Sequence, residues 1–191
     1  KSFFENLISE NEIGYYTPPG SEGICGYIAG GLILLYADYF YNDNYIDDST
    51  YLNPSGNAFK GDSFTKKLYS IGINDIGYGD ELTAAQAAWV MRTYLSQERN
   101  INMGYWSQIL PTVGRLKEQI DANRPVLLCG QVDDVSSSGT NTVDHNIVVY
   151  GYTPYDLLIT HYGRENYSDV VINYQVIRPF ISDASAISSY S

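Results

Sequence analysis

From Cys25 onward the apolar residues Ile28, Leu32, Leu35 and Tyr39 recur at helical spacing, which predicts a buried helix beginning at that cysteine. Gly30 and Gly31 are poor helix formers inside it, so another element is expected to approach closely there. Ahead of it, Ser2 to Glu10 carries Phe3, Phe4, Leu7 and Ile8 on one side, the pattern of a short amphipathic helix, and Thr17-Pro18-Pro19-Gly20-Ser21 breaks the chain. Asn42 to Asn57 is a polar loop, and Ser63 to Ile71 reads as a helix closed by Gly72. Thr83-Ala84-Ala85-Gln86 is a capping box opening a helix through about Ser96. Thr112 to Ala122 is a further helix, ended by Asn123-Arg124-Pro125.

After Pro125 the periodicity changes. Val126–Val132, Ile147–Tyr152, Leu157–Tyr162 and Val170–Ile177 are short runs rich in Val, Ile and Tyr, separated by Gly, Ser, Asn and Pro. Those are strand signals. Helices first and strands second imply an α+β fold with an antiparallel sheet in the second half. No internal repeat or linker divides residues 1–191, so a single domain is expected.

Composition narrows the function classes. A hydrophobic share of 44% and a charged share of 17% are globular values. The formal charge of −11 argues against a nucleic-acid partner, which needs a basic stripe, and against anionic membrane surfaces. Gly26, Gly30, Gly31 and Asp38 interrupt the longest apolar stretch, Ile24 to Tyr41, so no membrane insertion is expected. Nineteen tyrosines beside abundant Asn, Ser and Gly suit a secreted or cell-surface protein. A start at Lys1 is what a mature, internal or trimmed chain would show.

Two cysteines and two histidines remain as candidate chemistry. Cys25 falls in the first turn of its helix, where unpaired N–H groups and the helix dipole favour a thiolate and can hold an oxyanion. The plainer alternative is an ordinary buried thiol. Cys129, mid-strand among large aliphatics, reads as structural. In a strand through His145, the residues His145, Ile147 and Val149 share a face; in the next, Leu157, Ile159 and His161 do. A three-residue loop at Thr153 to Tyr155 would set Ile147 opposite His161 and make His145 its diagonal neighbour, with His145 as base and His161 as its orienting partner. An even loop would place the two rings on opposite faces. Asp144 then points away from His145 and reads as a strand-edge residue. Tyr105, Trp106 and Tyr162 are candidate cleft aromatics or partial core. Asn42 to Asp48 has oxygen ligands but not the spacing of a calcium loop.

Taken together, Val143-Asp144-His145, Ile147-Val148-Val149-Tyr150-Gly151-Tyr152 and Leu157-Leu158-Ile159-Thr160-His161-Tyr162-Gly163 resemble the catalytic hairpin of papain-like cysteine peptidases, most nearly the bacterial bacteriocin-processing and streptopain-like members. Gly23-Ile24-Cys25-Gly26 is similar to the nucleophile segment, and Arg124-Pro125-Val126-Leu127 to the strand that precedes the histidine. The resemblance implies a papain-like fold with a helical first half, a sheet second half and a cleft between them. It implies Cys25 as nucleophile, His145 as base and His161 where the family has Asn or Asp. It further implies a peptide or protein substrate hydrolysed through an acyl-enzyme; no cofactor is expected, and a zinc site from His145, His161 and a cysteine lacks metal-ligand spacing. Two departures stand out: a glycine follows the cysteine where the family has an aromatic residue, and no glutamine precedes it to donate to the oxyanion. The alternatives are an impaired domain that binds peptide or a surface partner, and an amidase or acyl transferase using the same pair.

Overall fold

The structure is a computed structural model that describes residues 2–6, 13–14, 16, 18, 23–52, 59–135 and 141–189. Its helices are α1 (Ser2–Glu5), α2 (Cys25–Phe40), α3 (Asp48–Tyr51), α4 (Gly61–Ser70), α5 (Ala84–Arg99), α6 (Val113–Asp121) and α7 (Tyr174–Ile177). Its strands are β1 (Gly104–Ile109), β2 (Val126–Asp133), β3 (Thr142–Tyr152), β4 (Leu157–His161), β5 (Val170–Asn173) and β6 (Ile181–Ser189). All six form one antiparallel sheet in the order β1-β6-β2-β3-β4-β5. The fold is α+β, as its pattern predicts. The second half of the expected first helix, Leu7 to Glu10, lies outside the described residues.

A core lies on each face of the sheet. On one, α2, α4 and α5 pack with Leu127, Val148 and Ile187; on the other, Leu116 of α6 and Tyr174 and Ile177 of α7 meet Leu128, Ile147 and Val149. β2 is therefore covered on both faces, which is why Val126 to Leu128 reads as an unbroken apolar run. Gly30 and Gly31 take the close approach expected of them: a Cβ on Gly30 would lie 3.4 Å from Met91, and one on Gly31 3.7 Å from Leu68.

Several elements depart from the sequence expectation, beginning with α3, a helical turn inside the expected polar loop Asn42 to Asn57. Gly72 does not end the helix, which continues as a π-helical turn, Ile71–Ile76, to Gly77 in the left-handed region at φ 93°. Gly72 serves packing instead, because a Cβ there would run into the Tyr27 ring. Val170–Ile177 is a four-residue strand followed by a helical turn. β1 and β6 are not foreseen at all. β6 sits between β1 and β2 yet is built from small and polar residues, with Asp183 and Ser185 facing the helices and Ala184 and Ala186 facing the opposite core.

Those inward polar residues fasten the halves together. Asp183 accepts from the backbone N–H groups of Ala84 and Ala85, each at 2.9 Å, and Ser185 Oγ donates to Ala84 O at 2.7 Å. Thr83 also caps α5 through the capping box with Gln86. A buried carboxylate facing a helix N-terminus is stabilised by the unpaired N–H groups and the dipole. Asp183→Ala is expected to lower the unfolding free energy in urea by about 2–4 kcal/mol, because two charge-assisted bonds are lost and a buried and a part-buried donor are orphaned. A change below about 0.5 kcal/mol would show that the clasp is not needed.

Candidate active site

Asp183 of β6, Cys129 of β2 and Asn146 of β3 are cross-strand partners, so their side chains line up on the sheet face that meets the helices. Above this row sit the N-termini of α2 and α5. Leu82, just before α5, gathers the contacts: its carbonyl accepts from Asn146 Nδ2 at 3.0 Å and from the Cys129 thiol at 3.5 Å. Tyr27 of α2 holds the same segment by donating to Gly79 O at 2.7 Å.

Cys25 opens α2, with Ile24 in the N-cap position. Isoleucine has no side-chain acceptor, so the first-turn N–H groups are not capped by it. The sulfur receives the backbone N–H of Asn146 at 3.4 Å and its Nδ2 at 3.6 Å. Gly26 permits this proximity, since a Cβ there would lie 2.9 Å from Leu82 Cβ and 3.2 Å from Asn146 Nδ2. Its small size thus serves packing against Leu82 and Asn146.

A cavity of about 370 Å³ opens beside the sulfur. Cys25, Leu82, Gln86, Cys129, His145 and Asn146 line it, together with Gly23, Glu81, Thr83, Gly130, Asp144 and Ser182. Cys25 and His145, 120 positions apart in the chain, therefore border one space. Among the described residues no hydrogen bond joins them. His145 Nε2 instead meets the carbonyl of Tyr162 at 2.7 Å. A carbonyl only accepts, so Nε2 carries the proton and Nδ1 is the ring's basic nitrogen. Burial pushes the His145 ring down to about 4; the Tyr162 carbonyl and Asp134 act upward and Arg164 downward. The imidazole is therefore neutral at pH 7.

The register explains why His161 does not make that contact. Near the turn Tyr152 pairs with Leu158 and Gly151 with Ile159, so odd positions do pair with odd ones. A bulge between Val149 and Gly151 then reverses the parity and sets His161 opposite Val148, where the three-residue loop would have set it opposite Ile147. His161 shares a face with Val148 and Asn146, whereas His145 shares the other with Ile147 and packs against the Tyr162 ring at 5.5 Å between centroids. His161 is fully buried, and its Nδ1 accepts from the Gly163 N–H at 2.8 Å.

Other candidates fall into place. Cys129 is only half-buried and borders the cavity; burial first, then the carboxylate of Asp183, Cys25 and the carboxylate of Asp144, push its thiol up to about 12. It is a protonated, unreactive thiol, in keeping with its structural reading. Asp144 does point away from His145, but the face it shares is the one that meets Cys25, so it lines the cavity. Tyr162 is core beneath His145, and Tyr105 and Trp106 lie on β1 away from the cavity. Most of the segment before Cys25, where the family places its oxyanion glutamine, lies outside the described residues. Gln86 borders the cavity instead. In the acidic loop, oxygens of Asp38, Asp43 and Asp48 lie within 4.8 Å of one another, with Asp43 and Asp48 exposed. No described helix is long and apolar enough to cross a membrane.

No protein-family model matches this chain, and no curated protein does. Among solved structures it is similar to the crystal structure of a "putative C39-like peptidase from Bacillus anthracis", at 12% identity and a TM-score of 0.51, over 97% of this chain and 98% of that one. The fold is papain-like. At that identity the likeness carries the architecture, and the chemistry rests on the cavity.

The His145 environment gives a signed pH dependence. Its folded value of about 4 lies below the unfolded reference near 6.5, so between those limits the unfolded state binds more protons. Stability is therefore expected to fall as the pH drops from about 6.5 to about 4, and His145→Gln should flatten that part of the profile. Equal slopes for both proteins in urea titrations across this window would contradict the assignment.

Proposed function

We propose that the chain hydrolyses peptide bonds through a thiol ester on Cys25, with His145 as the base. The observation that carries the reading is the contact between His145 Nε2 and Tyr162 O, which fixes the tautomer whose Nδ1 can take a proton, at a residue that borders the same cavity as Cys25. A backbone carbonyl here fills the orienting role that an Asn or Asp side chain fills elsewhere. His145 removes the thiol proton, the sulfur attacks the scissile carbonyl, and the imidazolium returns its proton to the leaving amine. Water then releases the acyl group, with His145 again the base. Cys25, at the start of α2, and Gln86 border the cavity, and a first-turn N–H and a carboxamide are donor types an oxyanion requires. His145 stands on the strand face opposite to that of Asn146, and among the described residues no hydrogen bond joins its ring to the sulfur, so for proton transfer the ring must turn to bring Nδ1 within about 3 Å of it.

A second reading has its own observation. In this structure the sulfur is held by Asn146 and not by His145, and a ring pushed down to about 4 is a weak base. That arrangement suits a domain that binds peptide in the same cleft without turning it over.

Two measurements separate them. Under the hydrolase reading, iodoacetamide at pH 7 labels Cys25 at least about tenfold faster than Cys129, because Cys129 is held protonated. His145→Ala then slows turnover of a casein-derived peptide mixture by about 10²–10⁴-fold, and Cys25→Ala abolishes it. Equal, slow labelling of both thiols, or peptide binding that survives without any turnover, favours the binding reading. The acid limb of kcat/KM should lie near 4, because the base is lost only as His145 protonates. A limb near 6.5 would contradict the buried, neutral ring.

A further inference from the structure

Beyond Cys25 and His145, the charged side chains that line the cavity are all of one sign. Glu81 and Asp144 bring carboxylates to it from two separate segments, the turn before α5 and strand β3, and both residues are exposed. Asp144 lies two positions from Asn146, on the same strand face, and so on the side of the sheet that meets Cys25. Among the described lining residues there is no lysine or arginine. Arg164, which acts on His145, is not among them. Asn146 adds an acceptor: it is 4% exposed, Leu82 O fixes the orientation of its amide nitrogen, and its Oδ1 has no hydrogen-bond partner among the described residues. A buried amide oxygen without a donor is unusual and costly, and an incoming N–H relieves it.

We infer that the cleft selects a cationic group, an ammonium or guanidinium beside the bond to be cut, with Glu81 and Asp144 as the residues that set this preference. The inference deepens the proposed function by naming its substrate class, peptides carrying Lys or Arg next to the scissile bond. Burial first, then Asp183, Cys25 and Asp144, hold the Cys129 thiol protonated, so the Asp144 carboxylate does act within the cleft. A carboxylate a few ångströms from a reacting charge in a water-filled cleft changes the local concentration of that charge by about threefold, and of a cation relative to an anion by about tenfold.

Thiol-directed probes of opposite charge test this without requiring turnover. The cationic 2-(trimethylammonium)ethyl methanethiosulfonate and the anionic 2-sulfonatoethyl methanethiosulfonate both form a disulfide with a thiolate and release methanesulfinate. Rates at Cys25, followed by peptide mapping and divided by those on 2-mercaptoethanol, are expected to favour the cation by about tenfold or more at low ionic strength. Glu81→Gln combined with Asp144→Asn should cut that preference by about tenfold, and added salt should shrink it in the native protein. Both substitutions are at exposed positions, and an unchanged melting temperature checks the fold. A preference equal to that of 2-mercaptoethanol, a preference that survives the double substitution, or a Cys25 sulfur that neither reagent reaches would overturn the inference. Failure to hydrolyse peptides, with the cationic preference intact, would instead count against the proposed function alone.

Discussion

The N-termini of two helices end over one polar row of the sheet, and how each satisfies its unpaired N–H groups decides what this protein is. α5 is closed by the Thr83 capping box and by the buried Asp183 carboxylate, so its start is a structural anchor. α2 begins at Ile24-Cys25 with no side-chain cap from the N-cap residue, and Cys25 borders the cavity. The two termini are therefore closed differently. Leu82 lies between them, and its carbonyl receives both Asn146 and Cys129, so the anchored helix also sets the position of the residue that holds the Cys25 sulfur.

Much of this arrangement was legible in the chain. Helical spacing from Ile28 to Tyr39 located α2 with Cys25 at its start, and the capping box located α5. β6 was not legible because strand reading relies on large β-branched and aromatic residues, and this strand is central while being mostly Ser, Asp and Ala, with only Ile181 and Ile187 among them. Its polar residues are inside because they bond the N-terminal end of α5, a tertiary fact without local signature. The histidine register failed for a comparable reason. The parity at the turn was right, but a one-residue bulge beyond it reversed the faces, and nothing in Val149-Tyr150-Gly151 announces a bulge except the glycine. The missed residue with the most consequence is Asn146. It directly follows His145, and alternation does place it on the opposite face; what the sequence could not say is that this face meets the nucleophile.

His145 illustrates how burial and a single backbone contact divide the labour at a site. Loss of water keeps the ring neutral, and the Tyr162 carbonyl chooses which nitrogen bears the proton. Neither effect involves His161, which pairs with Val148 on the other strand face and accepts from the Gly163 N–H. The cost is a base weaker than a free imidazole. Cys129 shows the converse, since the same burial in an acidic setting keeps a thiol protonated and leaves the nearby Cys25 as the candidate for reaction.

The state of the His145 ring is the central claim, and nitrogen-15 spectroscopy of the imidazole reads it directly, with assignment through the backbone resonances of Asp144 and Asn146. At pH 7 the account predicts a neutral ring in the Nε2–H tautomer, with Nδ1 unprotonated, persisting on acidification until about pH 4. A ring that protonates near pH 6.5, or a neutral ring with its proton on Nδ1, would contradict it.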